Sequence, residues 1–248
     1  MGAKPDLPVM PRTTDNLTIA KSDSWRMFDD ISPRYDFLNH LLSLGLDISW
    51  RRRLATLLPK REGQRILDVA TGTADVLLAL IKNPNVQACF GVDMAEKMLA
   101  IARAKVARLG FEDRILLQHG DANQIPFNDN TFDAATIAFG IRNMEDPQQV
   151  LKEMRRVLNA GGMALVLEFS LPRNPLWRGL HLLYLRNIIP LAGALFSGHY
   201  QAYRYLNRTI ERFPCGAAFC AVMRDAGFQN VSAHLLLGGI ATIYVGEK

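Results

Sequence analysis

The sequence predicts an α/β fold: a doubly wound, mostly parallel seven-stranded sheet that ends in an antiparallel hairpin and carries a helical cap. From Arg65 to Phe169, β-branched and aliphatic runs alternate with segments whose apolar residues recur at helical spacing. This alternation is typical of parallel strands joined by crossover helices on both faces of a sheet. After Gly227-Phe228, two apolar runs flank Leu237-Gly238-Gly239, which predicts a hairpin.

The elements are predicted in order from the apolar spacing and from the breaks between runs. Helices over 24–58 precede the sheet. The strands are 65–69, 87–92, 114–118, 132–138 and 163–169, separated by helices over 75–82, 95–109 and 146–158. A helix over 214–226 leads to the hairpin strands 231–236 and 240–245. We therefore expect a flexible tail over 1–20 and a single domain over 21–248, composed of a helical lid (24–58), a cofactor-binding core (63–170) and a helical cap (171–212).

The helix that follows strand 132–138 has the clearest start and end. Asp146 is a residue type favoured at the N-cap, and Pro147 suits the first helical position. One apolar stripe follows, formed by Val150, Leu151, Met154, Val157 and Leu158. Gly161-Gly162 is predicted to end this helix.

The turn after the first strand predicts a nucleotide-type cofactor. The run Ile66 to Val69 stops at Ala70-Thr71-Gly72-Thr73-Ala74, and helical spacing resumes at Val76. A strand, a tight turn and a helix start point backbone N–H groups and the positive end of the helix dipole at a ligand. Asp93 closes the next strand, where an acid accepts hydrogen bonds from a ribose in nucleotide-binding folds. An ordinary βα turn without a ligand is the alternative interpretation.

The same turn favours S-adenosylmethionine over a dinucleotide. A dinucleotide site has the pattern G-x-G-x-x-G, whose glycines admit a pyrophosphate. Here Gly72 is the one glycine, and Ala74 stands where another would be expected. The terminal hairpin also distinguishes methyltransferase folds from dinucleotide-binding folds. A nicotinamide-dependent oxidoreductase is therefore the second function class that we weigh, and a binding protein without catalysis is the third.

The composition is that of a globular protein and argues against several classes. Hydrophobic residues make up 49% and charged residues 21% of the chain, with a net charge of +5 that allows an anionic partner surface. Three cysteines and five scattered histidines match neither a disulfide framework nor a metal site. The sequence has neither a signal peptide nor an unbroken apolar span of about 20 residues. We therefore expect a cytoplasmic protein that is soluble or at most peripheral to a membrane.

The segment Leu171–Ile210 contains interleaved arginines and aromatic residues but no acid. This combination suits a membrane interface, and it also suits single-stranded nucleic acid. The simplest alternative is a helical cap whose apolar stripe belongs to the core. We rank a cap with a tunnel for an apolar tail first and membrane contact through 171–210 second. Nucleic acid ranks last, so no nucleic-acid partner is expected.

Four motifs resemble those of the ubiquinone/menaquinone biosynthesis C-methyltransferases. They are Tyr35-Asp36-Phe37-Leu38-Asn39 with Ser43 and Trp50, Asp68 to Asp75, Thr136 to Asn143, and Arg156-Val157-Leu158 with Gly161-Gly162 and Glu168-Phe169-Ser170. They occur in unbroken order from about Trp25 to the C-terminus. The resemblance implies a class I, Rossmann-like methyltransferase that moves a methyl group from S-adenosylmethionine to a ring carbon of a polyprenyl hydroquinone, with demethylmenaquinol as the first choice of acceptor. The oligomeric state stays open, with a homodimer among the alternatives.

The resemblance and the position in the chain select Arg142 and Asn143 as catalytic candidates. They follow strand 132–138 and therefore lie at the carboxyl edge of the sheet, where ligands bind in such folds. A guanidinium stays protonated in proteins, so Arg142 would stabilise an oxyanion while Asn143 donates a further hydrogen bond. The alternative is that Arg142 pairs with Glu145 or Asp146 and holds a loop.

A base is also needed, because a phenol with a pKa near 10 is mostly protonated at neutral pH. Tyr35, Asp36, Asp47 and His119 are the candidates, and the sequence does not choose among them. Tyr35 belongs to the first motif and is included with the catalytic residues.

The resemblance implies a cofactor site in which a glycine and a threonine meet the methionine end, an acid meets the ribose, and a second acid reads the adenine edge. The cofactor-binding residues are Gly72, Thr73, Asp93, Met94, Asp121, Ala122 and Ala138. A turn cap is the alternative role for Asp121. The chain has Asp47 where the family usually has histidine, and Ala74 where it usually has glycine. These two departures keep the non-catalytic class under consideration.

Overall fold

A seven-stranded sheet lies at the centre of the computed structural model. The structure describes residues 45–191 and 207–248, together with Lys21, Trp25, Arg26, Asp29, Ser32, His40 and Ser43. The strands are β1 (Gln64–Val69), β2 (Val86–Asp93), β3 (Ile115–His119), β4 (Phe132–Ala138), β5 (Leu158–Phe169), β6 (Gln229–Leu236) and β7 (Ala241–Glu247). The helices are α1 (Leu46–Ala55), α2 (Asp75–Leu80), α3 (Glu96–Arg108), α4 (Pro147–Val157), α5 (Pro175–Leu183) and α6 (Ala217–Asp225).

The strand order is β3-β2-β1-β4-β5-β7-β6. The pairs among β1 to β5 are parallel, whereas β7 runs antiparallel to both β5 and β6. The chain reverses direction across the sheet between β1 and β4, which is a topological switch point where open α/β sheets bind ligands. The predicted fold class, a mostly parallel sheet closed by an antiparallel hairpin, is confirmed.

Two layers of apolar side chains cover the faces of the sheet. On one face, α1, α2 and α3 contribute Trp50, Leu54, Leu77, Leu80 and Ala102 to a buried cluster. On the other face, α4 and α6 contribute Val150, Leu151, Met154, Phe219 and Met223. Helices therefore cover both faces, as crossover connections between parallel strands require.

The start of α4 is confirmed and its end lies one residue before the predicted 158, but Gly161-Gly162 do not end it. The Asp146 carboxylate accepts a hydrogen bond from the backbone N–H of Gln149, and Pro147 opens the helix. The helix ends at Val157, and β5 begins at Leu158 rather than at 163. Gly161 and Gly162 lie within β5, beside a register shift against β4. A side chain on Gly162 would lie 2.9 Å from the Asn159 carbonyl oxygen, so close backbone approach accounts for a glycine there.

Part of the predicted lid and cap lies outside the described residues. This applies to 192–206, to the tail 1–20 and to most positions of 22–44, including Tyr35 and Asp36. Within the described ranges, none of the helices combines the length and the apolar character needed to cross a membrane.

Candidate active site

The β1–α2 turn is held open by left-handed backbone conformations and fastened to the end of β2. Ala70, Gly72 and Ala74 have φ angles of 52°, 56° and 66°. The N–H of Thr71 donates to the Val92 carbonyl at 3.1 Å. Ala74 keeps the left-handed conformation that suits a glycine, so the departure from the family pattern at this position leaves the turn intact.

Gly72 leaves space beside the main chain. A Cβ atom added at this residue would meet no atom within 4 Å in the part of the chain that the structure describes. Its N–H donates to Oδ2 of Asp93 at 2.7 Å. A ligand can therefore approach the backbone of the turn closely, which is what a cofactor turn requires.

Asp93 joins the cofactor turn to the start of α3. Its two carboxylate oxygens accept hydrogen bonds from the N–H groups of Gly72 and Ala95, at 2.7 and 2.8 Å. Burial raises the pKa of Asp93, and the hydrogen bonds from these backbone amides oppose that rise. The carboxylate is thus fixed in orientation at the end of β2, where a ribose is bound in this type of fold.

A cavity of about 320 Å³ opens at this edge of the sheet, within the size range of small-molecule sites. Six of the seven predicted cofactor-binding residues line it, namely Gly72, Asp93, Met94, Asp121, Ala122 and Ala138. Thr73 is buried and is not among the described residues that line the cavity.

Asp121 caps a local turn and also lines the cavity. One carboxylate oxygen accepts from the backbone N–H and the side-chain amide of Asn123, at 2.8 and 2.9 Å. The same residue lines the cavity. The turn-cap interpretation and the adenine-edge interpretation are therefore compatible.

The sheet order, the open glycine turn and the fixed acid at the end of β2 fit S-adenosylmethionine, and together they define a class I methyltransferase that depends on this cofactor. The ubiE/COQ5 methyltransferase family matches residues 18–248. This chain belongs to that family, which sets aside the nicotinamide-dependent alternative.

Relatives and solved structures agree with this assignment. The chain is 48% identical over 223 residues to the ubiquinone/menaquinone biosynthesis C-methyltransferase UbiE of Geotalea uraniireducens, covering 90% of this chain and 94% of that one. It is 45% identical to the demethylmenaquinone methyltransferase of Thermus thermophilus, covering 90% and 100% of the two chains. A solved methyltransferase from Thermotoga maritima shares the fold with a TM-score of 0.63 at 20% identity, over 90% of this chain and 99% of that one.

The catalytic candidates Arg142 and Asn143 are neighbours in the chain, but their side chains have different surroundings. Asn143 lines the cavity, and its side-chain nitrogen lies 3.4 Å from the Phe139 carbonyl. Arg142 is buried, and its guanidinium donates to Glu168 at 2.5 Å and to the Phe139 carbonyl at 2.7 Å. The guanidinium carbon also lies 5.3 Å from the centre of the Phe169 ring.

Glu168 is therefore the acid that holds Arg142, rather than Glu145 or Asp146. Glu168 is fully buried; burial raises its pKa, and the charge and hydrogen bonds of Arg142 oppose this rise. The sequence contained a signal for this pair, because Glu168 is an acid that directly follows the apolar run Leu165-Val166-Leu167 within a predicted strand. A buried charge of this kind predicts a buried partner.

Asp47 is a structural acid in the described surroundings. Burial would raise the pKa of Asp47, but the hydrogen bond from Ser43 and the charge of Arg51 outweigh burial and hold the pKa below its ordinary value. Ser43 Oγ donates to one carboxylate oxygen at 2.6 Å, and His40 Nδ1 lies 2.7 Å from the other, which Arg51 also contacts. Asp47 and the exposed His119 are not among the described residues that line the cavity.

An aromatic cluster forms a wall beside the cavity and was not predicted. Phe139 lines the cavity. Its backbone is in the left-handed region, with a φ of 56°. Its ring centre lies 4.6 Å from that of Phe169 and 6.2 Å from that of Trp50. Glu145 also lines the cavity, although the sequence suggested only a role in a loop. Phe139 and Glu145 both lie in the segment after β4, at the carboxyl edge of the sheet, and this position was the sequence signal that could have predicted them as cavity residues.

Substitution of Gly72 by alanine is expected to weaken S-adenosylmethionine binding by about tenfold, because one added methyl in a filled site costs about 1–3 kcal/mol. Titration calorimetry would measure the affinity. Gly110→Ala is a matched control: Gly110 has a φ of 70° and equally open surroundings, so it adds similar backbone strain away from the cavity. Equal affinities for the two variants would contradict a close approach of the cofactor to Gly72.

Asp68 makes the stability of the fold depend on pH. Burial and the nearby Asp93 raise its pKa from 3.8 to about 7, against a hydrogen bond from Thr136. Between these values the unfolded chain loses this proton while the folded protein keeps it, so the contribution of Asp68 to the free energy of unfolding falls as pH rises. The stability of Asp68→Asn relative to the parent protein is expected to increase from pH 4 to about 7 in urea unfolding. A difference that stays constant over this range would exclude the raised pKa.

Proposed function

We propose that this protein methylates a ring carbon of a polyprenyl hydroquinone in menaquinone or ubiquinone biosynthesis, with demethylmenaquinol as the first choice of acceptor. The observation that carries the proposal is the 45–48% identity, over 90% of the chain, to relatives named for this reaction. The match of residues 18–248 to the ubiE/COQ5 methyltransferase family supports the same function.

The cavity has the features that this chemistry needs. S-adenosylmethionine supplies an electrophilic methyl group on a positively charged sulfur. Gly72, Met94 and Asp93 would hold it at the carboxyl edge of β1 and β2, with Asp121 and Ala122 beside them after β3. Thr73 is proposed to support the methionine end from its buried position in the turn. Phe139 and Met144 add apolar surface to the cavity, which suits an aromatic ring held in line for attack.

Asn143 is our first choice for the group that stabilises charge on the acceptor. Its side chain lies at the cavity, and a carboxamide N–H can donate to a phenolate oxygen. Arg142 adds positive charge behind the same loop, and its contacts with Glu168 and Phe139 make it a positioning residue in the described geometry. Tyr35 and Asp36 remain candidates for the base, whereas the low pKa and the buried contacts of Asp47 argue against that acid.

The function is tested by incubating the protein with S-adenosylmethionine carrying a labelled methyl group and with a short-chain demethylmenaquinol. One labelled methyl group on the ring carbon of the product is the expected result. Short-chain demethylubiquinol and a simple phenol in parallel assays would identify a different acceptor. Cofactor binding by calorimetry without transfer to any of the three would contradict the proposed acceptor and would leave another acceptor, or a cofactor-binding scaffold of a biosynthetic complex.

The proposed location is the cytoplasm, at the surface of the membrane that holds the substrate. A polyprenyl tail partitions into lipid, since each buried CH₂ group contributes about 0.8 kcal/mol. An enzyme that modifies the ring therefore needs access to the bilayer surface.

A further inference from the structure

Exposed apolar side chains are concentrated on one part of the protein. Eight of the eleven exposed large hydrophobic residues in the described ranges belong to α5, to the helical segment 184–191 that continues it, to the end of β6, or to the β6–β7 connection. We call this surface the apolar ridge, and it consists of Leu176, Trp177, Leu180, Leu183, Ile188, Leu191, Leu235 and Leu237. Their exposed fractions range from 38% to 77%. Apolar patches of this kind on soluble proteins mark interaction sites.

The ridge follows the outer face of a single helical segment. Leu176, Leu180 and Leu183 recur at helical spacing and are exposed, whereas His181 and Leu185 on the other face are buried. Trp177 Nε1 donates to the Leu237 carbonyl at 3.2 Å, which joins α5 to the β6–β7 connection. Leu237 of that connection therefore extends the same surface, and Leu235 lies next to it at the end of β6.

The charges around the ridge are positive. The segment 171–210 contains no acid. Arg186 is paired with Glu211 through two hydrogen bonds of 2.6 and 2.9 Å. For Arg173 and Arg178, by contrast, no acid of the described residues lies within ion-pair distance. The charge of Arg178 also contributes to lowering the pKa of Glu211, but in the described part of 171–212 arginines outnumber acids. Leucines flanked by arginines and a tryptophan are the composition that binds at the headgroup level of an anionic bilayer.

The inner face of the same helix connects the ridge to the active site. Leu185 and Ile189 pack against Phe169 and Leu171. The Phe169 ring lies 4.6 Å from the ring of Phe139, which lines the cavity. The helical segment thus carries the ridge on one side and supports the aromatic wall of the cavity on the other.

We propose that the apolar ridge docks this protein on a bilayer surface that contains anionic phospholipid. A second copy of the chain is a poorer occupant, because a two-fold interface would bring the same arginines together, and Glu211, the acid that follows the segment, is already paired with Arg186. The docking itself does not depend on the acceptor. Its purpose, access to a substrate with an apolar tail, rests on the proposed function.

The test uses the full chain and vesicles of phosphatidylcholine with or without phosphatidylglycerol. Sedimentation with the vesicles is expected for the parent protein, more strongly with phosphatidylglycerol. The double variant Leu180→Glu/Leu183→Glu is expected to bind about tenfold more weakly, and Arg178→Gln to lose part of the preference for phosphatidylglycerol. The matched control is Leu109→Glu/Leu116→Glu, which changes two leucines of similar exposure, 49% and 52%, outside the ridge. Circular dichroism and thermal unfolding establish that each variant is folded.

Three outcomes would overturn the proposal. The first is that the parent protein binds to neither vesicle. The second is that the ridge variant and the control variant lose binding equally. The third is that the parent protein is a dimer, that the ridge substitutions make it a monomer, and that neither protein binds to vesicles. Methyl transfer separates this failure from a failure of the proposed function. Transfer to a soluble short-chain quinol should be unchanged in the ridge variant, and transfer to a long-chain quinol embedded in vesicles should fall. Vesicle binding by a parent protein that methylates neither quinol would leave the docking surface intact and refute the acceptor.

Discussion

Arg142→Ala is expected to lower the free energy of unfolding by about 3–5 kcal/mol, the usual effect of removing one partner of a buried ion pair. Arg142 and Glu168 are both buried, and a distance of 2.5 Å separates their charged atoms. Without the guanidinium, Glu168 must either stay charged without a partner or take up a proton. We also expect turnover to fall more than cofactor affinity, because the hydrogen bonds and the ion pair of Arg142 in the described residues go to Glu168 and Phe139 rather than to Asp93 or the β1–α2 turn. Urea unfolding, calorimetry and the methyl-transfer assay measure the three quantities.

The double variant Arg142→Met/Glu168→Gln separates a positioning role from direct action on the substrate. It removes both charges while keeping side chains of similar length, and much of the lost stability should return. If Arg142 acts by positioning the loop that carries Asn143, turnover should recover together with stability. Recovered stability with turnover still at the level of Arg142→Ala would instead assign the guanidinium a direct contact with the developing oxyanion. Glu168→Gln alone is the control for the loss of the acid.

The sheet was predictable because its strands carry continuous apolar runs and its helices carry stripes. The limits of β4 were predicted without error, and Asp146 and Pro147 located the start of α4. The start of β5 was not predictable, since Leu158 continues the apolar stripe of α4 in the sequence but pairs with Phe132 in the structure. This long-range pairing decides where α4 ends and β5 begins, and a local sequence pattern contains no information about it.

The cofactor site was more predictable than the catalytic one. Asp93 ends a strand of the parallel part of the sheet, and Gly72 and Asp121 each follow one within three residues, so the topology alone brings them to one edge. The surroundings of Arg142 depend on Glu168, which is 26 residues away. Those of Asp47 depend on contacts between α1 and the residues before it. Side-chain pairing sets the contacts of Arg142 and lowers the pKa of Asp47, and the residue types alone do not determine these pairings.

Asp93→Asn is expected to weaken S-adenosylmethionine binding by about 1.5–3 kcal/mol, or roughly 10- to 150-fold, because it removes a charged hydrogen-bond acceptor from the ribose site. Asparagine has nearly the same shape, but one of the two carboxylate oxygens becomes an NH₂ group. That group would face the N–H of Gly72 or Ala95, both of which now donate to Asp93. Calorimetry with S-adenosylmethionine and with its demethylated product gives the affinity.

Two controls decide what a loss of affinity at Asp93 means. Asp113→Asn makes the same chemical change at an exposed acid before β3, so it should leave affinity unchanged. Thermal unfolding without cofactor reports damage to the turn, because the carboxylate also holds the β1–α2 turn in place. A large loss of affinity with a small change in melting temperature supports direct contact with the ribose. Parent-like affinity in Asp93→Asn would remove this acid from the ribose site, and the open space at Gly72 would then have to accept the cofactor in another orientation.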